Sequence, residues 1–393
     1  MAISVQRALL SDEMLARFDE RAPQYDRDNT FFTEDFEELK ASGYLKACVP
    51  EEFGGSGLGL DEYAKLVQQL AYVAPADALA CNMHIYWTGI AADMWRQGDK
   101  SLQWILEKAG EGEIFAALHG EAGNDFPGVY STTKAERVDG GWKITGHKIF
   151  GTLSPVWTYG GFHSQDNSDP DNPQVIHGFL PKQTPGLAIV DTWDTLGMRA
   201  TQSQDTILDE AFCPDDLVIS VNPTGLLGGP PWLGPLFAWA LFGMSSVYYG
   251  AARRAFDLTV AKMPQKTSVA NLDHTMAYHP EVQHNVAEMR MSLDICEALL
   301  NQNTSDWANG VEHEDWPIRI IGTRFQVVNH AYDVVERAMD LSGGAAAFKR
   351  SRLEQIFRDV RMGKFHPGNT LLAHEAIGKL CLGVNPDDKQ RWG

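Results

Sequence analysis

The chain of 393 residues is short of cations: 33 Lys and Arg face 52 Asp and Glu, a formal net charge of −19. A nucleic-acid binder needs a basic footprint to neutralise phosphates, and none dominates here. Cysteine is scarce and odd in number, with Cys48, Cys81, Cys213, Cys296 and Cys381 and no CxxC pair. That excludes a thiolate zinc finger and argues against a disulfide scaffold. The five read as buried or inert thiols. HExxH and close histidine–carboxylate helix pairs are missing, and His279 and His284 do not share a helical face, so no metal is expected. GxSxG, a Walker loop and GxGxxG after a strand are missing too, which removes the common hydrolase, kinase and Rossmann readings. The N-terminus lacks an apolar core of signal-peptide length, and a cytoplasmic protein is expected.

Charge is also absent locally. From Leu217 to Ala252 no Asp, Glu, Lys or Arg occurs. Pro231, Pro235 and the Ser245–Ser246 pair interrupt this stretch, and its unbroken apolar run falls short of the roughly 20 residues a bilayer requires. A helix buried on all sides is expected there, and no membrane association.

What is present is a 44% hydrophobic composition on a long chain, enough for a large core and too much for disorder. Three textures follow one another. Residues 1–112 read as helical: Phe36, Leu39 and Leu45 form one apolar face, and Leu60, Tyr63, Leu66, Leu70 and Val73 another. Residues 113–222 read as β: Asp139-Gly140-Gly141 marks a hairpin, and VIHGFLPK, GLAIVDTW and DTILDEAFCP are short strands between turn residues. Residues 223–393 read as helical again. Val282, Val286, Met289, Leu293 and Cys296 form a heptad-like stripe, and long helices with aligned stripes predict an antiparallel bundle. The expected fold class is mainly α with a central β-domain.

Five segments, in order, resemble the acyl-CoA dehydrogenase superfamily of flavoproteins over nearly the whole chain. They are YDRDNTFFTEDFEELKASGYLKACVPEEFGGSGLGL; AALHGEAGNDFPGVYSTTKAERVDGGWKITGHKIFGT; LGMRATQSQDTILDEAFCPDD; MDLSGGAAAF; and FRDVR. The resemblance implies an N-terminal helical domain, a β-barrel or sandwich middle domain and a C-terminal four-helix bundle. It also implies FAD or FMN between the β-domain and the bundle, and a homotetramer or homodimer.

By resemblance the flavin contacts fall on Asn124, Asp125, Phe150, Thr152, Ser154, Gly343 and Gly344. Phe150 replaces the usual Trp and keeps an aromatic surface. The glycine pair permits close backbone approach. Two departures stand out. The Arg-x-x-Phe-Gly motif that reaches the cofactor pyrophosphate is replaced by KMPQKTS, leaving Lys262 or Lys266 to supply charge. The glutamate that removes an α-proton is replaced by Pro367, with His366 before it, and the alternative glutamate position holds Ala240.

A monooxygenase branch of the family carries a histidine near that C-terminal position, takes reduced flavin from a separate reductase and forms a flavin hydroperoxide. RDVR…FHPGN and KIFGTLS resemble that branch. The reading is therefore a flavin-dependent monooxygenase acting on a small apolar or aromatic substrate, with His366 as the acid–base group. The alternative is an acyl-CoA dehydrogenase using a non-standard base, His366 or Glu375. A non-catalytic binding or scaffold subunit is a third. The substrate pocket is expected along the uncharged stretch, with Trp232, Phe237, Trp239, Tyr248 and Tyr249 available, and His84 with Trp87 in CNMHIYWTGI are further candidates. The acidic excess is uneven: residues 349–364 hold six basic against two acidic residues. By resemblance that run lies near the cofactor's phosphates.

Overall fold

The computed structural model describes residues 9–226, 229–270 and 272–388. The first block is helical: α1 (Asp12–Asp28), α2 (Thr33–Ser42), α3 (Leu60–Val73), α4 (Pro75–Arg96) and α5 (Gln103–Glu111). Its ends are written in cap residues. Ser11 Oγ accepts a hydrogen bond from Met14 N at 3.2 Å to start α1, and Gly43 takes the left-handed φ of 85° that stops α2. The apolar stripe of α3 is buried throughout. α4 is buried on nearly every face, because the sheet lies on one side and another helix on the other.

Eight strands follow: β1 (Phe115–Leu118), β2 (Lys134–Val138), β3 (Gly141–Gly151), β4 (Tyr159–Asp166), β5 (Gln174–Pro181), β6 (Leu187–Val190), β7 (Gln204–Pro214) and β8 (Val218–Pro223). They form one mixed sheet in the order β6-β7-β3-β2-β4-β5-β8, with β1 parallel to β4 off this path. The hairpin expected at Asp139–Gly140 joins β2 to β3, and Val138 pairs with Gly141 across it. The register of β3 on β7 breaks between Lys148 and Gly151. That break sets the geometry of the site.

The last block contains α6 (Leu233–Lys262), α7 (Pro280–Ala308), α8 (Trp316–Ser342), α9 (Arg352–Met362) and α10 (Thr370–Leu382). α6 carries most of the charge-free stretch and is buried from Ala238 to Ala252 apart from the partly buried Ala240. Among the described residues no helix is long and apolar enough to cross a membrane. α6 and α4 cross closely through reciprocal glycines. A Cβ on Gly89 would lie 2.4 Å from the Trp239 ring, and one on Gly243 would lie 2.1 Å from Asn82 Oδ1. Both positions therefore require glycine. The crossing brings one face of each helix to the same wall, opposite the sheet.

Candidate active site

Between that wall and the sheet lies a cavity of about 310 Å3. Leu79, Met83 and Tyr86 of α4 and Leu236, Phe237, Ala240, Leu241 and Met244 of α6 make its apolar side. The sheet side brings His119, Glu121, Asn124, Asp125, Ile149, Phe150 and Thr152. Met362, Phe365, His366, Pro367 and Asn369, from the end of α9 and the turn into α10, make a third side, and Trp193, Met198, Thr201 and Ser203 line its rim.

The register break in β3 shapes the rim. Phe150 sits in it with a φ of 60°, which holds its ring half exposed and edge-on to Trp193 at 6.0 Å. A bulge commonly re-aims a side chain beside a functional site. The Thr152 hydroxyl lies 2.7 Å from that of Ser203, which lies 2.7 Å from that of Thr201. These hydroxyls form a short polar row along an otherwise apolar edge. Ser154 stands outside the cavity wall, with its hydroxyl donating to Gly151 O at 2.5 Å.

The RDVR segment holds this rim in place. Arg358 donates to Leu196 O at 3.0 Å and to both oxygens of Asp26, and Asp359 Oδ1 accepts from Met198 N at 2.6 Å. Burial and the nearby Asp26 push the Asp359 carboxyl up to about 7. The folded chain keeps this proton to about pH 7, while the unfolded chain releases it near 3.9. Its stability contribution therefore falls as pH rises between these values. Asp359→Asn keeps an acceptor for Met198 N and removes the titration. The variant is expected to lose this part of the fall, checked by thermal midpoints at about pH 4 and about pH 7.5.

Sequence reasoning missed the floor of the cavity. Glu121 is buried and accepts from Lys148 Nζ at 2.6 Å, Ser131 Oγ at 2.6 Å, Asn124 Nδ2 at 2.8 Å and the backbone N–H groups of Thr132 and Thr133. Its carboxylate also lies 3.3 Å from His163 Nε2, a contact without hydrogen-bond alignment. Burial pushes the Glu121 carboxyl up, but His163 and Lys148 outweigh it and hold it well below the usual carboxylate range. Burial draws the Lys148 ammonium down to about 8, which leaves it charged at neutral pH. A signal was available. Trp142 and Ile144 point inward from β3, and the same period of two puts Lys148 inward, where a charge needs a partner.

His366 lies on the cavity wall, half buried, with Nε2 enclosed and without a hydrogen-bond partner among the described residues. Arg324 donates to Gly363 O at 2.7 Å and His366 O at 2.9 Å and so fixes this turn. The ring's enclosure, with the Arg324 guanidinium behind it, lowers the imidazole to about 3. It is neutral at neutral pH.

Six of the expected site residues thus line one cavity: Asn124, Asp125, Phe150, Thr152, Phe237 and His366. Others stand outside its wall. Both His84 nitrogens are used, Nε2 by Leu45 O at 2.9 Å and Nδ1 by Phe115 N at 3.1 Å. Trp87 Nε1 donates to Ala116 O, and Trp239 Nε1 to Asp93, so these indoles tie elements together. Tyr248 packs behind His366 with ring centres 5.8 Å apart. Glu375 is paired with Lys379 on α10. Gly343 and Gly344 end α8 at the surface, where Lys266 Nζ donates to Leu341 O at 3.0 Å.

Two family models match this chain: the acyl-CoA dehydrogenase N-terminal domain over residues 6–104 and the acyl-CoA dehydrogenase C-terminal domain over residues 242–370. The chain belongs to the acyl-CoA dehydrogenase superfamily. Within it, L-evernosamine nitrososynthase of a Micromonospora sp. is 27% identical, covering 95% of this chain and 89% of that protein. YdbM of Bacillus subtilis (strain 168), which bears an acyl-CoA dehydrogenase name, is 26% identical over 89% of this chain and 90% of its own length. Among solved structures, XiaF from Streptomyces sp. in complex with FADH2 and glycerol superposes with a TM-score of 0.82 at 19% identity. That match covers 99% of this chain and 97% of XiaF.

Proposed function

We propose that this superfamily member is a reduced-flavin-dependent monooxygenase acting on a small apolar or aromatic molecule. The observation that carries the reading is the set of proton-handling groups on the cavity wall. Both positions where desaturating members keep a glutamate, Ala240 and Pro367, line the cavity without a carboxylate. Glu121 is committed to Lys148 and four further donors and is a poor base. His366 offers a neutral imidazole instead.

The residues fit a flavin. Phe150 and Trp193 give aromatic surface for a flat ring, and Thr152, Ser203 and Thr201 give hydroxyls along one edge of it. Lys266, whose ammonium lies beside Gly343, would supply charge for an anionic tail. Dioxygen and a reduced flavin together supply one oxygen atom to the substrate, the other leaving as water. The apolar wall of α4 and α6 excludes water from the reacting centre. His366 holds or moves the substrate's proton at its imidazole. FADH2 in XiaF supports the reduced cofactor, and a nitroso product, which carries oxygen on nitrogen, supports oxygenation over desaturation. A separate flavin reductase and a homotetrameric or homodimeric assembly belong to the same proposal.

The test is incorporation of labelled oxygen from dioxygen into candidate substrates in the presence of chemically reduced FMN or FAD. Anaerobic bleaching of bound flavin by acyl-CoA thioesters, with no oxygenated product from any candidate, would sink the reading. Phe150→Ala and Thr152→Ala should each weaken flavin binding roughly threefold to tenfold, as loss of one ring contact or one hydrogen bond does. Flavin fluorescence titration measures it.

A further inference from the structure

Behind Glu121 lies a set of groups that the proposed reaction does not use. His119 follows β1, His163 lies on β4 and His177 faces it on β5. Their ring centres step 5.3 Å from His119 to His163 and 6.1 Å from His163 to His177. His119 alone of the three lines the cavity, and its ring meets Trp87 edge-on at 5.6 Å. Its Nε2 is enclosed and has no hydrogen-bond partner among the described residues, as is true of His366 Nε2. One such imidazole therefore comes from the sheet and the other from the turn after α9.

The charges on the cavity lining point one way, since the Arg324 guanidinium behind His366 is turned to the backbone carbonyls of Gly363 and His366. Among the described residues no Lys or Arg lines the cavity, whereas Glu121 and Asp125 do. Lys148, beneath the floor, is engaged, since its Nζ is given to Glu121 and to His163 O at 2.5 Å. Burial, with His163 and Lys148 close by, keeps His119 well below the usual histidine range, so it too is neutral. A carboxylate entering this cavity meets no lining cation among the described residues, only uncharged rings and carboxylates, of which Glu121 is already paired with Lys148. A hydroxyl or amino group meets imidazole nitrogens able to donate or accept.

We propose that His119 is a specificity-determining residue, which with His366 selects a substrate bearing a hydroxyl or amino group on an apolar body and rejects one bearing a carboxylate. The proposal rests on the monooxygenase reading for the reaction but not for the binding preference. A buried acceptor or donor left unpaired by the wrong substrate is what gives such selection its size. His119 is a polar group against the Trp87 ring, and its position just after β1 puts it on the cavity wall two residues before Glu121.

The test is equilibrium binding of four matched probes to the full chain: naphthalene, 2-naphthol, 2-naphthylamine and 2-naphthoate. Calorimetry without turnover reads it. In the wild type, 2-naphthol and 2-naphthylamine should bind at least about tenfold tighter than 2-naphthoate, the size of discrimination one unpaired buried polar group produces. His119→Phe keeps a ring against Trp87 and His163 and should remove most of the gain of 2-naphthol over naphthalene. His119→Gln, which keeps a donor and an acceptor, should retain part of it. Equal or tighter binding of 2-naphthoate overturns the proposal. So does a His119→Phe variant, folded by circular dichroism, that still prefers 2-naphthol over naphthalene as the wild type does. If the preference is found but no labelled oxygen enters any substrate, the oxygenase reading fails and the specificity assignment stands.

Discussion

His366→Ala is expected to lower turnover on the order of 10²–10⁴-fold, the usual contribution of a positioned acid–base group. Flavin affinity should stay within about twofold, because no hydroxyl of the Thr152–Ser203–Thr201 row depends on that side chain. The pH profile gives a second readout. The imidazole is lowered to about 3 by enclosure and by Arg324, so its neutral form is present throughout the ordinary working range. Wild-type activity should not fall along a limb near pH 6.5, where an unperturbed histidine would take its proton. Arg324→Met relieves the electrostatic part of that depression and loosens the turn, so a limb should appear on the acid side and move toward the ordinary value. Steady-state rates across pH for the wild type and both variants check this. An unchanged rate in His366→Ala would remove the residue from the reaction.

Lys148→Met is expected to cost about 3–5 kcal/mol of stability, because it strands the buried Glu121 carboxylate without its cation. Four hydrogen-bond donors remain around Glu121, but none carries a charge at neutral pH. The double variant Glu121→Gln, Lys148→Met removes both charges and should recover a large part of the loss. Urea unfolding followed by tryptophan fluorescence of the wild type, Lys148→Met, Glu121→Gln and the double variant closes the cycle, and additivity of the two changes would show that the pair is not coupled. The pH dependence has a definite sign. The Glu121 carboxyl is held below its unfolded value, so its contribution is present above about pH 4.3 and is lost as pH falls through the folded value. The wild type's advantage over Lys148→Met should therefore narrow as pH falls below about 4.3.

Much of the fold is legible because its signals are local and periodic. The stripe Leu60, Tyr63, Leu66, Leu70, Val73 specifies α3, the Asp139–Gly140 turn specifies the β2–β3 hairpin, and the missing charges in the second part of 217–252 specify a helix buried on most of its faces, while the first part forms β8. The site is legible only where a residue type carries its own chemistry or stands in a motif, as with His366, Phe150 and Thr152. The helix aromatics illustrate the limit. Trp87 and Trp239 sit in apolar helices beside the cavity, yet the glycine crossing turns Trp239 onto Gly89, and Trp87 is anchored to β1. Which face of a fully apolar helix meets a cavity depends on its neighbours, and composition does not encode it. The Glu121–Lys148–His163 group escapes for a related reason: its members are 15 to 42 residues apart and meet only when β1, β3 and β4 assemble.

The left-handed backbone at the rim carries a consequence for the protein's history and its engineering. Phe150, Leu153, Met198 and Gln202 all hold positive φ without being glycine, at 60°, 67°, 52° and 45°. Each such conformation costs about 1–3 kcal/mol and persists because its surroundings impose it. Here two segments impose it on each other, with Leu153 N donating to Thr201 O and Ser154 N to Gln202 O. Selection for heat resistance alone would therefore find gains here through Gly or Asn at Phe150 and Gln202, whereas Leu153 and Met198 are buried and their truncation would cost more than the strain it relieves. The same changes would free the segment that carries the exposed Phe150 ring, so melting temperature and grip on a flat ligand should trade against each other at this rim.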